Sequence, residues 1–189
     1  MSHKLPRKFD FREFKAISRA ISTYEDLNVL IKHLVEGTCQ TFKAKGCSVL
    51  LLDERENQLF RMASCGLSER YIRKGPIFVV KEQLCAICTA RPVFTADVRS
   101  DPRVQYPDAA VKEGIISMLS IPIMSRDAVI GLMRIYHGEP LELHEDDIDS
   151  LTLLLKQLGL VIENKGLKNF VEQVRVGMGR LPPRLLEGL

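Results

Sequence analysis

The sequence has little of what marks membrane, secreted or phosphate-binding proteins. Its 189 residues contain no run of about 18 apolar residues, and the basic segment Met1–Pro6 is not followed by an apolar stretch. The sequence therefore predicts neither a membrane span nor a signal peptide, and we expect a cytoplasmic location. It also has no Gly-rich phosphate loop and no recognisable Ser-His-Asp order, so these two enzyme chemistries are not predicted.

Metal ligands are equally scarce. Of the five cysteines, only Cys85 and Cys88 have a suggestive spacing, and a structural zinc site needs about four ligands, which no second Cys pair or nearby His pair supplies. We therefore expect no metal site, and we expect the cysteines to be mostly small buried hydrophobes of a reducing compartment. The scattered histidines predict no common catalytic or haem site.

Neither positive nor negative charge dominates the sequence, but the two signs are unevenly distributed along it. Basic residues are concentrated at both ends of the chain, and the middle is acidic. Solvated helix faces and tails explain this pattern more often than a polyanionic partner does. Binding to nucleic acid is therefore not expected.

The stretch from Gly114 to Tyr136 is the one around which the chain is organised. It contains two arms rich in Ile, Val, Leu and Met, each too short for a typical helix, separated by the polar Ser125-Arg126-Asp127. This pattern predicts two buried strands joined by a tight turn.

The segments before this hairpin predict two helices and two strands. Asp10 followed by Glu13 is typical of a helix start, and Thr23 with Asp26 suggests that a second helix begins there. The apolar run 47–52 and its return at 59–65 indicate a pair of strands.

Shorter elements follow, and a long helix closes the chain. We predict a helical turn near Tyr71, short strands at 77–80 and 93–95, a helix within 81–91 ended by Pro92, a loop over 96–107 and a further turn over 108–114. Apolar residues at spacings of three and four then follow an acidic turn. This order predicts an α+β fold with a central, mainly antiparallel sheet of about six strands and the N- and C-terminal helices on one face.

In this order, the local sequences resemble those of the GAF domain family, the small sensory modules of many signalling proteins. The resemblance rests on Val49–Asp53 with Leu59–Ala63, Gly66–Ser68, Asp97–Arg103, Gly114–Ile123, Val129–Leu132 and Asp146–Asp147. It covers residues 22–166 and leaves 1–21 as an N-terminal helix and 167–189 as a C-terminal helical extension and tail. It implies a pocket in front of the sheet, formed by short helices and loops, and dimerisation through the first and last helices.

The function that the resemblance implies is that of a sensory, regulatory and non-enzymatic domain. It would bind an unidentified small molecule and signal through a helical homodimer interface to a downstream protein. Candidate ligand-binding residues come from the front elements, and they are Phe78, Cys85, Cys88, Asp97, Met118, Ser120, Arg134 and Tyr136. Because side chains alternate along strands, we expect only about half of the last four to face the same side.

Two other interpretations stay open. Cys85 and Cys88 suggest a thiol-based redox sensor, or an enzyme similar to the free methionine sulfoxide reductases, which use cysteines within a GAF fold; the loop 98–109, where those enzymes carry another essential cysteine, has none. On a helix the two thiols fit a disulfide poorly away from a helix start. A pure interaction module is favoured if Met118 and its neighbours fill the pocket.

The absence of a Cys-His pair disfavours a bilin chromophore. Asp101 is interpreted as a loop-shaping residue, and Asp97 is left open.

Overall fold

The computed structural model describes residues 6–80, 85–140 and 143–179, with side chains described up to residue 169. Helices and strands alternate irregularly along these residues. Their bounds are α1 Phe11–Thr23, α2 Leu27–Thr41, β1 Gly46–Asp53, β2 Gln58–Cys65, α3 Glu69–Ile72, β3 Ile77–Phe78, α4 Ala86–Thr89, β4 Val93–Thr95, α5 Pro107–Glu113, β5 Ser117–Ser125, β6 Ala128–His137 and α6 Glu145–Gly179.

The first two helices begin at aspartate caps. At α1 the Asp10 carboxylate accepts the N–H of Glu13 at 2.8 Å, and the Glu13 carboxylate accepts the N–H of Asp10 at 3.0 Å, which confirms the predicted capping box. The prediction for α2 is wrong by three residues, because its N-cap is Asp26. Thr23 instead ends α1, and its hydroxyl donates to the carbonyl of Arg19 at 2.9 Å.

The predicted hairpin supplies two neighbouring strands of the sheet. Strands β5 and β6 pair antiparallel from Ser117 opposite His137 to Ser125 opposite Ala128, and Arg126 turns the chain with a positive φ of 51°. The whole sheet has six strands in the order β3-β2-β1-β6-β5-β4, and every pair is antiparallel. The α+β prediction is therefore confirmed.

One face of the sheet is covered by the terminal helices. Helices α1, α2 and α6 bury their apolar sides against it, and Val35, Ile135 and Leu155 are fully buried there. Helix α1 runs parallel to α6, since Ser18 bonds to Gln157, and the carbonyl of Glu25, just beyond the C-terminal end of α1, accepts a bond from Lys165 farther along α6. This packing leaves the opposite face, the front, for the short elements.

The front elements differ from prediction in extent. The short strand covers only Ile77–Phe78, and the helix predicted within 81–91 is a single turn with Cys85 as its N-cap, while residues 81–84 lie outside the described part. Ala90, in the left-handed region at a φ of 52°, ends this turn before Pro92. Helix α5 begins and ends one residue earlier than the turn predicted over 108–114, and Pro107 occupies a first-turn position where its missing N–H costs nothing.

The long helix α6 passes Gly166 without a break, and the structure describes it up to Gly179. Among the described helices, none is long and apolar enough to cross a membrane.

Candidate functional site

The floor of the front site is built by four residues of the central hairpin. In the β5–β6 register Met118 lies opposite Tyr136, and Ser120 lies opposite Arg134. Each pair sits two residues from the other on its strand, so all four side chains point to the front. The expectation that only about half of them face the same side is therefore wrong, because the register places each of the two β5 residues directly opposite one of the two β6 residues.

Two small cavities lie above this floor. The first, of about 30 Å³, lies against α3 and α5, and the second, of about 40 Å³, lies against β3 and α4. Met118, Arg134, Arg103 and Gln105 line both of them. Each cavity has room for about one or two water-sized groups, so Met118 and its neighbours fill most of the space directly above the floor, which is the observation that favours the interaction-module alternative.

A wider cleft adjoins the first cavity. It has a volume of about 430 Å³, and the two share Tyr71, Lys74, Gln105 and Tyr106 as lining residues. Its outer part is formed by α3 and α5, with charged side chains of both signs. A small molecule can therefore occupy the cleft and place one end group in the first cavity.

The loop before α5 is bound to the edge strand β3. Gln105 accepts the N–H of Phe78 at 3.0 Å and donates to the carbonyl of the same residue. Its side-chain amide thus makes the two hydrogen bonds that a residue of a neighbouring strand would make. The hydroxyl of Tyr106 donates to the carbonyl of Pro76 at 2.7 Å. These bonds hold the loop over both cavities, and they place Phe78, which is half exposed, at the rim of the second one.

Three basic groups lie close together on this side. The guanidinium Nε atoms of Arg134 and Arg61 are buried and have no hydrogen-bond partner among the described residues. Lys74 lies with its Nζ 3.8 Å from the centre of the Tyr71 ring. Partial burial, together with the charges of Arg61 and Arg134, lowers the pKa of Lys74 to about 8.

Two tyrosines form the polar layer beneath the first cavity. Tyr136 is fully buried, and its hydroxyl lies 3.0 Å from the hydroxyl of Ser48. Tyr71 meets it edge to face, with 5.9 Å between ring centres, and burial raises the pKa of Tyr71. Tyr136 thus supports the site through Tyr71 and lines neither cavity.

The two cysteines of the short front helix lie side by side. The Sγ atoms of Cys85 and Cys88 are 3.0 Å apart, and Cys88 also contacts the carbonyl of Val80 at 3.6 Å. Cys85 lines the second cavity, whereas Cys88 is exposed and does not line it. Because Cys85 directly precedes α4, the pair sits at a helix start.

Asp97 is placed away from the two cavities. Its carboxylate accepts bonds from the backbone and guanidinium of Arg99, both at 2.9 Å, and these bonds lower the pKa of Asp97 to about 2. Asp101 pairs in the same way with Arg103 at 2.8 Å. The interpretation of Asp101 as a loop-shaping residue agrees with this geometry, and Asp97 makes the same kind of turn.

The other three cysteines lie on the helix-covered side. The Sγ of Cys39 is 3.8 Å from the carbonyl of Cys65, Cys47 pairs with Cys65 across β1 and β2, and burial raises the pKa of the Cys47 thiol. Within residues 6–80, 85–140 and 143–179, no three His, Cys, Asp or Glu side chains are arranged to hold a metal ion.

Sequence reasoning missed several residues that form the site. Lys74, Gln105 and Tyr106 lie in irregular segments, where apolar periodicity carries no signal. Arg61 lies on β2, but its face is set by a bulge in that strand, where Met62 is the extra residue between the partners of Val49 and Leu50. Placing Arg61 on the front face requires the register between β1 and β2, which the sequence alone does not give.

Comparisons with known proteins agree with this architecture. The family model described as GAF domain matches residues 25–163. The GAF domain of a phosphoenolpyruvate-protein phosphotransferase from Acinetobacter superposes with a TM-score of 0.68 at 23% identity, covering 84% of this chain and 97% of that one. The corresponding domain from Coxiella burnetii gives 0.69 at 21% identity, with 82% and 94% covered.

An enzyme shares the same fold. The free methionine-R-sulfoxide reductase from Neisseria meningitidis, solved in complex with its substrate, superposes with a TM-score of 0.66 at 19% identity, covering 85% of this chain and 96% of that one. At these identities the likeness concerns the fold alone. No curated protein matches the sequence.

Proposed function

The chain belongs to the GAF domain family, and on that premise we propose that it is a sensory domain. It binds a small molecule at the front of its sheet, and binding changes the arrangement of a helical dimer. The observation that carries this proposal is the continuity between the outer cleft and the first cavity, which share Tyr71, Lys74, Gln105 and Tyr106. A concave site with a few convergent polar groups is typical of small-molecule binding.

The second half of the proposal rests on the exposed side of α6. Leu153, Leu160 and Leu167 recur at intervals of seven residues and are 56%, 53% and 53% exposed. An apolar seam of this period is what a second helix packs against. We therefore place the homodimer contact on this stripe, with the partner's α6 alongside, and we expect a downstream signalling protein to read the arrangement of the two helices.

Ligand binding can alter this dimer only by favouring one arrangement over another. Helix α6 packs on β5, the strand that also carries Met118 and Ser120 of the site floor. A shift of that strand on ligand binding therefore reaches α6 directly, without an intervening element.

The test is a thermal-shift screen of a metabolite library on the wild-type chain and on Met118→Phe, which fills space between the two cavities. Met124→Phe is the matched control, since it makes the same change on the same strand at a position that lines neither cavity. We expect one chemical series to raise the unfolding temperature of wild type and of the control but not of Met118→Phe. A screen without hits, or hits that Met118→Phe keeps, would contradict ligand binding at this site.

A second candidate function is favoured by the 3.0 Å approach of the Cys85 and Cys88 Sγ atoms. In this function the pair is a thiol switch. One thiolate attacks a peroxide oxygen and forms a sulfenic acid while water leaves, and the other thiol then attacks that sulfur, forming a disulfide and releasing a second water. The peroxide is reduced by two electrons and the dithiol is oxidised by two.

Mass spectrometry of alkylated peptides before and after mild peroxide treatment tests the switch. We expect wild type to lose two alkylatable thiols, and Cys88→Ser to yield no disulfide at Cys85. Cys65→Ser serves as the control, because it removes a thiol on the other side of the sheet and should leave the switch intact. Unchanged alkylation of Cys85 and Cys88 in wild type would exclude this function.

A further inference from the structure

We infer that the ligand of this domain carries an anionic end group, a carboxylate or a phosphate, held between Arg134 and Lys74 at the inner end of the cleft. This inference rests on the proposed function and specifies the chemistry of the same site. The fold gathers positive charges there, and the Nε of Arg134 has no hydrogen-bond partner among the described residues, whereas Lys74 donates to the carbonyl of Tyr71 at 3.3 Å.

Arg134 is the central group. It lies in the middle of β6, lines both cavities, and has Ser48 and Ser120 as its cross-strand neighbours. Its Nε is buried without a hydrogen-bond partner, and no carboxylate forms an ion pair with it among the described residues. A partly buried guanidinium that is not neutralised is costly, and an anion placed against it removes that cost.

Two other arginines on the same side of the sheet differ from Arg134 in that each is paired with a carboxylate. Arg99 binds Asp97 through Nε at 2.9 Å, and Arg103 binds Asp101 through Nε at 2.8 Å. Both pairs stabilise turns of one loop. The fold thus supplies carboxylates to the arginines that shape the loop and leaves the arginine of the floor without one.

Lys74 adds a second positive charge at the junction between the cleft and the first cavity. The cationic groups that face it are Arg61 on β2 and Arg134 on β6, and these lower its pKa together with burial. The acidic group that opposes them is Glu113 on α5, which already accepts a bond from the N–H of Ser68 at 2.8 Å.

The outer part of the cleft does not cancel the positive charge at its inner end. Arg70 and Lys112 stand there against Asp108 and Glu113, so the two signs are matched at the mouth. The excess of positive charge is at the inner end, where Lys74 meets Arg134.

Size and geometry agree with an anionic end group. The first cavity, of about 30 Å³, accepts a carboxylate or the oxygens of a phosphate, while the cleft of about 430 Å³ holds the rest of the molecule. A guanidinium fork binds either group with two parallel hydrogen bonds, whereas a lysine contributes a point charge.

Isothermal titration with inorganic phosphate and with acetate, at constant ionic strength, tests the inference on the full chain. Arg134→Met is compared with Arg91→Met, which removes the same charge at an exposed position beyond α4. We expect at least one anion to bind wild type and Arg91→Met alike and to bind Arg134→Met at least tenfold more weakly. Arg134→Lys should recover part of the affinity, because it restores the charge without the fork. The anion with the higher affinity indicates which of the two groups the ligand carries.

The pH dependence gives an independent check. Protonated Lys74 strengthens the binding of an anion, so the affinity for acetate, whose charge is constant in this range, should fall between about pH 7 and about pH 9 in wild type and much less in Lys74→Met. Equal anion binding by wild type and Arg134→Met would overturn the inference.

The screen described above separates the two levels of the proposal. If neutral or cationic compounds bind at the Met118-dependent site and no anion does, the anionic end group is excluded and small-molecule sensing stands. If no compound of any charge binds, both the inference and the proposed function are contradicted.

Discussion

At the scale of single residues, Asp147 joins the N-terminal segment to the last helix. Its carboxylate is fully buried and accepts the backbone N–H groups of Lys8 and Phe9, each at 3.0 Å. In Asp147→Asn, only one of these two groups keeps an acceptor, so we expect the free energy of unfolding to fall by about 1.5 to 3 kcal/mol. Urea denaturation measures the change.

Asp149→Asn is the control for this prediction, since it removes an exposed carboxylate from the same helix turn region. Its effect should stay within about 0.5 kcal/mol of wild type. Equal losses in the two variants would mean that Asp147 acts through the helix dipole and not through its two bonds.

His137 makes the stability depend on pH. It is buried at the end of β6, its Nε2 has no partner among the described residues, and burial followed by the charge of Lys8 lowers its pKa from 6.5. The unfolded chain therefore binds a proton more readily, and the stability that neutral His137 contributes is present above about pH 6.5 and is lost as the pH falls through the lowered pKa.

We expect wild type to lose more unfolding free energy than His137→Gln between about pH 7.5 and about pH 5.5. His33→Gln, which changes an exposed histidine of α2, should follow the wild-type curve. Chemical denaturation at the two pH values measures the difference, and parallel curves for all three proteins would show that His137 does not contribute.

At the scale of elements, two glycines of α6 have opposite roles. Helix α6 approaches β5 so closely at Gly159 that a Cβ there would overlap the carbonyl of Met124, whereas a Cβ at Gly166 meets nothing within 4 Å. Gly159→Ala should therefore destabilise the fold by about 1 to 3 kcal/mol through overpacking. Gly166→Ala should stabilise it by up to about 1 kcal/mol through helix propensity.

Thermal and urea unfolding of the two alanine variants check this prediction. The two substitutions are chemically identical and lie in the same helix, so they differ only in what the added methyl group meets. Changes of the same sign would contradict the close contact between α6 and β5.

The elements that the sequence predicts well are those defined by local chemistry. The hairpin of β5 and β6 follows from two apolar arms and a polar turn, and the start of α1 follows from Asp10 and Glu13. The start of α2 was misplaced because Thr23 and Asp26 both suit a cap, and the choice depends on which backbone N–H groups the chain brings to them.

The site was harder to predict than the fold. Met118, Ser120 and Arg134 could be named from their strands, but their common orientation needed the register between β5 and β6. Lys74 and Gln105 belong to irregular segments whose positions are fixed by long-range bonds, such as the one from Gln105 to Phe78. Local patterns contain no information about such bonds.

At the scale of the whole molecule, the exposed leucine stripe of α6 predicts a dimer. Leu160 lies at its centre and is 53% exposed. Leu160→Glu should convert a wild-type dimer into a monomer, because it places like charges in an apolar seam. Asn169→Glu adds the same charge at an exposed position outside the stripe and should leave the dimer intact.

Sedimentation velocity at several concentrations distinguishes these species. A wild-type chain that is monomeric throughout, or a Leu160→Glu variant that still dimerises, would show that the stripe is not the contact between two copies.

Ligand binding at the front of the sheet is tested most directly by native mass spectrometry of the wild-type chain after incubation with a metabolite extract, with Met118→Phe and Met124→Phe measured alongside. A bound small molecule appears as a mass increment under native conditions that disappears on denaturation. We expect such an increment in wild type and Met124→Phe and its loss in Met118→Phe. The bare chain mass in all three, or an increment that Met118→Phe retains, would contradict a ligand-sensing site at the front of this sheet.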